Sequence, residues 1–351
     1  GVTGTRGKTT TTLLCAAMLA AWRPDTVVAG NMRVSALEQL AQIGPETPVA
    51  IELSSFQLEG LEEYSLSPQI AVATNLSPDH LNRYATMADY AAAKRGIVAA
   101  QVAGDWAILN RDDPAIWAFH EATPAGILPF GQAEPAGDGA WLAGDDLRWR
   151  FQGAEYAAPR GALRVPGAHN ALNALAAGLA ALARGAPFAA VEAGLRDFGG
   201  VRDRLEPLGE LDGVLWINDT TATSPAGAAA ALQAMTRPVV LIAGGSEKHT
   251  DFADYAAVAA PRVKTIVMLR GDATARLTAA LLAAGLDPAR VHGPVENMAA
   301  AVRLARDLAA PGDVALLSPA CASFGMFRNE FDRGDAFRAA VAALAAGTEP
   351  G

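Results

Sequence analysis

Residues 3 to 12 read Thr3-Gly4-Thr5-Arg6-Gly7-Lys8-Thr9-Thr10-Thr11-Thr12 and run straight into the apolar segment Leu13, Leu14, Cys15, Ala16, Ala17, Met18 and Leu19. This is the layout of a phosphate-binding loop that opens a helix, and it predicts a chain that handles a nucleoside triphosphate. Gly4 and Gly7 let the backbone take positive φ and approach an anion closely, and the free N–H groups of a helix start point at phosphate oxygens. Lys8 is placed to reach the β and γ phosphates, and the Thr9 hydroxyl to sit on Mg²⁺. The spacing departs from the common phosphate-loop pattern, because Val2 stands five residues before Gly7. The plainer alternative is a Gly/Thr turn before an amphipathic helix. A phosphate loop ordinarily follows a buried strand, yet only Gly1 and Val2 precede this one, so further sequence is expected upstream.

Working outward, 351 residues suggest two or more domains. The apolar fraction of 51% is heavily Ala, with no run of about 18 apolar residues to span a bilayer. No secretory signal is read at the start. Cys15 and Cys321 make neither a disulfide framework nor a zinc site, which fits a reducing cytoplasm. With 28 Lys and Arg against 37 Asp and Glu, the formal charge of −9 argues against a nucleic-acid surface. Anionic ligands must then be held by local cations and helix ends.

After the first helix, short apolar runs alternate with helical patterns: Thr26 to Ala29, then Ser35 to Ile43; Val49 to Leu53; Ile70 to Leu76, then Met87 to Gln101; Ala107 to Asn110. That alternation predicts a parallel sheet covered by helices. Residues 131 to 166 break the rhythm with Gly-Asp-Gly and Gly-Asp-Asp turns, which read as a small antiparallel insert. Two Ala-rich helices follow near 169–184 and 188–197. A second α/β series begins after Gly199-Gly200, with strands expected at Val214 to Asn218, Val239 to Ala243, Thr265 to Leu269 and Val314 to Leu317. The fold class is therefore α/β: a central P-loop-type parallel sheet with helices on both faces and the insert, residues 1–203, then a Rossmann-like α/β domain, residues 204–351.

Polar residues gather at the predicted strand ends, where open α/β sheets bind ligands. Glu52 ends Val49-Ala50-Ile51, and Asn75-Leu76-Ser77-Pro78-Asp79-His80 follows the next strand. A carboxylate and an imidazole there can ligate Mg²⁺ or orient phosphates, the alternatives being a solvated strand-end acid and a capping or core histidine. Lys94 by itself reads as a surface lysine. His169, Asn170 and Asn173 start a helix, where amides can read an adenine edge or simply cap. Downstream, Asn218-Asp219 leads into Thr220-Thr221-Ala222-Thr223-Ser224-Pro225, Gly244-Gly245-Ser246-Glu247-Lys248 follows the next strand, and Ser318-Pro319-Ala320-Cys321-Ala322-Ser323 the last.

In this order the motifs resemble those of the Mur ligases of peptidoglycan synthesis. Thr3 to Thr9, Glu52-Leu53-Ser54-Ser55-Phe56-Gln57-Leu58, Asn75 to Tyr84, Ala93-Lys94, Gly167-Ala168-His169-Asn170 and Leu316 to Ser323 carry the likeness across nearly the whole chain, and the second and last belong to the branch that adds glutamate. The resemblance implies a cytoplasmic, monomeric enzyme in which ATP phosphorylates the carboxylate of UDP-N-acetylmuramoyl-L-alanine and the amine of D-glutamate attacks the acyl phosphate. It implies a uridine-nucleotide domain, absent here, before a central ATP domain and a C-terminal amino-acid domain. Gly4, Thr5, Gly7, Lys8, Thr9 and Thr10 would serve ATP, with Asn170, Asn173, Arg204 and Asp219 on its adenosine. Thr9, Glu52, His80 and Lys94 would serve two Mg²⁺ sites, Lys94 as a carbamate, and Lys8, His80 and Lys94 would be catalytic. Asn31 and Ser54 would face the muramoyl-alanine end, and Thr223, Lys248 and Ser323 the glutamate.

Three positions depart from the family's pattern. Arg6 stands where Asn is common, Thr221 where a lysine usually binds a glutamate carboxylate, and Arg328-Asn329-Glu330-Phe331 replaces Lys-Asn-Phe-Glu. Arg328 or Lys248 can compensate for the missing ammonium. Two alternatives stay open at this level: the same reaction with L-glutamate, and a nucleotide-binding module without ligase turnover.

Overall fold

A computed structural model describes the chain except residues 33–34, 79–82, 166, 248–249 and 348–351. It divides into two compact units, Gly1–Gly199 and Gly200–Gly351.

In the first unit the chain runs β1 (Val2–Thr3), α1 (Lys8–Trp22), β2 (Val27–Gly30), α2 (Ala36–Gln39), β3 (Val49–Glu52), α3 (Ser55–Glu63), β4 (Ile70–Ala73), α4 (Met87–Ala99), β5 (Trp106–Asn110), α5 (Pro114–Trp117), β6 (Gly126–Gly131), β7 (Gly139–Ala143), β8 (Asp146–Phe151), β9 (Ala154–Pro159), α6 (Ala168–Ala183) and α7 (Phe188–Asp197). One nine-stranded sheet results, ordered β2-β3-β1-β4-β5-β6-β7-β8-β9. It is parallel from β2 through β7, and β8 and β9 close it antiparallel. Side chains of one strand alternate between faces. Ala71 and Ala73 of β4 therefore join Leu58, Ile97 and Ile116 in one apolar layer, while α1, α6 and α7 pack together through fully buried Leu14, Met18, Leu175, Leu179 and Val191. Gly194 lets α7 come close, since a Cβ there would lie 2.6 Å from the Met18 side chain.

The expected antiparallel insert is present, but it is no appendage. β7 pairs in parallel with β6, Phe130 beside Ala140, so the insert extends the main sheet. Trp149 of β8 then packs on α6, its indole N–H donating to the Leu175 carbonyl at 3.0 Å. The helix expected over Ser35 to Ile43 shrinks to α2 and a 3₁₀ turn at Leu40–Gln42. Its Leu37 and Leu40 are exposed, so no buried face holds a longer helix together. The strand expected to reach Leu76 stops at Ala73, because the next residues turn to hold the phosphate loop.

The second unit runs β10 (Glu206–Leu211), β11 (Val214–Asn218), α8 (Pro225–Ala234), β12 (Val239–Ala243), α9 (Ala253–Arg262), β13 (Val263–Leu269), α10 (Thr274–Ala283), β14 (Val291–Val295), α11 (Met298–Leu308), β15 (Val314–Leu317) and α12 (Glu330–Ala345). Its six strands are ordered β10-β11-β15-β12-β13-β14, all parallel except β10. Val239, Leu241, Ile266 and Met268 face the α8–α10 layer. Val240, Ile242, Val267 and Leu269 face α11 and α12. Burial on both faces explains why β12 and β15 are continuous apolar runs. Among the described residues no helix is long and apolar enough to cross a membrane.

Candidate functional site

The loop between β1 and α1 opens the helix on a glycine. Gly7 caps α1 at φ 81 and brings no capping side chain to the first turn. The N–H groups of a helix start, at the positive end of the helix dipole, suit a polyanion. Both glycines are required by close approach as well as by φ: a Cβ on Gly4 would lie 2.0 Å from Thr74 Oγ1, and one on Gly7 would lie 2.6 Å from Asn173 Oδ1. The end of β4 pins the loop from one side. Asn75 grips the Arg6 backbone twice, accepting from its N–H and donating to its carbonyl, each at 2.9 Å. Thr74 adds a hydroxyl bond to the same carbonyl at 2.7 Å, and the Ser77 N–H donates to Thr5 Oγ1 at 3.0 Å.

Beside this cradle, parallel register sets Glu52 of β3 opposite Val2. Its buried carboxylate accepts from the Thr9 hydroxyl at 2.6 Å and from the Asn31 amide at 3.0 Å. Lys8 Nζ donates to the carbonyls of Gly4 and Thr5 at 3.0 and 3.1 Å. Lys94 Nζ reaches the same Gly4 carbonyl at 2.9 Å and lies 4.7 Å above the Tyr90 ring. Lys94 is only 1% exposed, which corrects the reading of it as a surface lysine. Gly4, Thr5, Lys8, Thr9, Glu52, Asn31 and Lys94 thus form one cluster. His80 lies outside the described residues.

Among the described residues no group of three or more His, Cys, Asp or Glu could hold a metal. A single carboxylate with a hydroxyl is nevertheless what Mg²⁺ ordinarily takes from protein when phosphate oxygens and water complete its shell. Glu52 and Thr9, already in mutual contact beside an open phosphate cradle, fit that role.

α6 brings its amides to the same loop. Asn173 is buried against Gly7, and its Nδ2 donates to Asn170 Oδ1 at 3.3 Å. Asn170 does not cap the helix; Gly167 occupies that position without a side-chain bond. Ser54, in contrast, is engaged in a capping box at the start of α3 with Gln57. Thr10 is buried in the first turn of α1.

In the second unit, Asp219 follows β11 and is 4% exposed. Its two oxygens accept from the Leu205 N–H at 3.1 Å and the Ser318 hydroxyl at 2.8 Å. Burial pushes its carboxyl up to about 6, opposed by those two bonds and the charge of Arg204. Arg204 itself is exposed. The Thr221 hydroxyl is turned away from any ligand role, since it donates to the Asp203 carbonyl at 2.8 Å. Thr223 is half-buried on the same loop and Ser323 is buried on the loop after β15. Lys248 lies outside the described residues. Sequence reasoning passed over Arg333, which is fully buried and donates to Thr220 Oγ1, Thr220 O, Cys321 O and Ala322 O, tying the β11 and β15 loops together. It also passed over Asn75 as a site residue. The strand-end position of Asn75 was a usable signal; nothing local marks Arg333.

An uncapped glycine loop with a lysine and a strand-end carboxylate, followed by a Rossmann-like unit with polar strand ends, defines an ATP-handling enzyme of the P-loop α/β class. Residues 2–181 match the Mur ligase middle domain, and residues 203–321 the Mur ligase glutamate ligase domain. The chain belongs to the Mur ligase family, the ATP-dependent amide-bond ligases of peptidoglycan synthesis. It is 49% identical to UDP-N-acetylmuramoylalanine–D-glutamate ligase of Roseiflexus sp. (strain RS-1), over 97% of this chain and 75% of that protein. It is 44% identical to the ligase of the same name from Symbiobacterium thermophilum, over 98% of this chain and 75% of the relative. Among solved structures, the fold is like that of the UDP-N-acetylmuramate–alanine ligase MurC of Thermotoga maritima, with TM-score 0.65 and 21% identity, covering 99% of this chain and 75% of the other.

Proposed function

We propose that this chain joins D-glutamate to UDP-N-acetylmuramoyl-L-alanine, as its relatives of that name do, in the cytoplasm and as a monomer. The observation that carries the reading is the cluster of Lys8, Thr9, Glu52 and Lys94 around one uncapped loop, in a chain 49% identical to such a ligase. Bound Mg–ATP supplies the γ-phosphoryl group that turns the alanine carboxylate into an acyl phosphate with release of ADP; the glutamate amine then attacks the acyl carbon, and inorganic phosphate leaves as the amide forms and the amine loses a proton. The N–H groups of Gly7 to Thr10 hold the phosphate chain, and Lys8 leaves its carbonyl partners to neutralise charge on the transferred group. Glu52 and Thr9 hold one metal. Lys94 serves a second metal as its carbamate, with His80 assisting. Asn170, Asn173, Arg204 and Asp219 bear on the adenosine. Asn31 and Ser54 bear on the muramoyl-alanine end, and Thr223, Lys248 and Ser323 on glutamate.

Support for the carbamate is the burial of Lys94 at the edge of the phosphate loop. Under ¹³C-bicarbonate the protein should give a carbamate carbon resonance that disappears in Lys94→Arg; a signal that survives there would remove the proposal. Handedness is a separate matter, because the Thr221 hydroxyl is committed to Asp203 and supplies no cation for a glutamate carboxylate. Incubation with Mg–ATP, UDP-N-acetylmuramoyl-L-alanine and each glutamate enantiomer decides it. Phosphate release and amide product with the D form are expected, and product with the L form alone would overturn the assignment.

A further inference from the structure

The turn that carries Arg204 is held in a conformation that L-residues rarely adopt. Asp203 has φ 67 and Leu205 has φ 41, so left-handed residues other than glycine flank Arg204 on both sides. Such backbone persists only where its surroundings over-determine it, and it concentrates at functional sites. Here the surroundings are a charge network. Asp203 is 3% exposed, and its Oδ1 accepts from Asn218 Nδ2 at 3.0 Å and from Arg338 Nη1 at 2.8 Å. Glu206 Oε2 accepts from the Asp203 N–H at 2.9 Å, from Asn218 Nδ2 at 3.0 Å and from the same Arg338 Nη1 at 2.6 Å. Arg338 Nη2 donates to Asp335 at 2.6 Å, which is shared with Arg202. α12 comes this close only because residue 334 is glycine: a Cβ there would lie 2.2 Å from Asp203 Oδ1.

The same turn is stitched to the end of β11. The Asp203 carbonyl accepts from both the N–H and the hydroxyl of Thr221, at 3.1 and 2.8 Å. The Leu205 N–H donates to Asp219. Arg204 therefore sits between two residues that are both anchored, while its own side chain is exposed and close enough to Asp219 for its charge to act there.

We infer that Arg338 is a positioning residue for nucleotide binding: by holding the Asp203 turn it presents Arg204 beside Asp219, an inference that rests on the proposed role of Arg204 as a nucleotide contact. Among the described residues of α12, Arg338 alone bridges the two carboxylates Asp203 and Glu206, through Nη1, so its loss frees the turn to relax toward ordinary φ and swings Arg204 away.

Calorimetric titration of Mg–ATP into the whole chain tests this with four variants: Arg338→Met, Arg338→Lys, Arg204→Ala and the double Arg338→Met/Arg204→Ala. Arg338→Met should weaken ATP at least fivefold, and Arg338→Lys, which can meet some of the carboxylates with one nitrogen, should recover part of that. In the Arg204→Ala background Arg338→Met should add less than twofold, since residues that act through one group are not additive. Arg338→Met binding ATP within twofold of wild type, or weakening it by the same factor with and without Arg204, would overturn the proposal. Arg204→Ala binding like wild type would instead overturn the nucleotide reading on which it stands. Should the methionine variant not fold, Arg338→Lys and its double with Arg204→Ala carry the same comparison.

Discussion

Asp219, an adenosine contact in the proposed function, is a buried acid held at the expense of stability. Its carboxyl titrates at about 6 instead of 3.8, chiefly because burial disfavours the charged form. The folded chain thus binds the proton more tightly than the unfolded chain, so this contribution to stability is full below about pH 3.8 and is lost as pH rises through about 6. Asp219→Asn escapes that loss, and the Ser318 hydroxyl can rotate to accept from the new amide. Its unfolding free energy should exceed wild type by up to about 3 kcal/mol at pH 8 and converge with it near pH 4, while ATP affinity falls. A stability difference that does not change between those pH values would contradict the cause given. Tyr255 is a second test of burial. Its buried hydroxyl has no hydrogen-bond partner among the described residues, so Tyr255→Phe should be neutral or stabilising by up to about 1 kcal/mol in urea unfolding. A clear loss would mean the hydroxyl is satisfied.

At the scale of elements, α4 matters because it carries Lys94 to the phosphate loop, and its start is fixed by a capping box. The Asp89 N–H donates to Thr86 Oγ1 at 3.1 Å, and the Thr86 N–H to Asp89 Oδ2 at 2.9 Å. Thr86→Ala should cost about 1 kcal/mol in denaturant unfolding; no cost would show that the cap is idle. That box could be read from Thr-x-x-Asp, and the central strands β3, β11, β12 and β15 from their apolar runs, because both signals are local. The edge strands β10 and β14 escaped notice because Pro207, Gly209, Gly293 and Pro294 mask them, although such residues are tolerated at a sheet edge. The site divides the same way. Gly7-Lys8-Thr9 announces itself by spacing within one turn. The burial of Lys94 against Gly4, ninety residues away in sequence, arises only when α4 docks, and family resemblance, not periodicity, singled it out. The Asp203 turn is less legible still, since the Arg338 that pairs with it lies 135 residues away in sequence.

Over the whole molecule, a chain of formal charge −9 must bind a polyanionic nucleotide against its own mean field. On the proposed function the first unit meets that need locally, with a helix start capped by glycine and two ammonium groups on one loop carbonyl. Glu52 and Thr9 would hold the Mg²⁺ whose charge completes the neutralisation. In the proposed function every later step, from acyl phosphate to amide, depends on the terminal phosphate being held there. The most direct check is calorimetric titration of Mg–ATP and of AMP into wild type and Lys8→Ala. Removing one charged donor should weaken Mg–ATP by roughly 10- to 100-fold, the equivalent of about 1.5 to 3 kcal/mol, and leave AMP unchanged. Mg–ATP affinity equal in the two proteins would mean that the phosphates lie elsewhere.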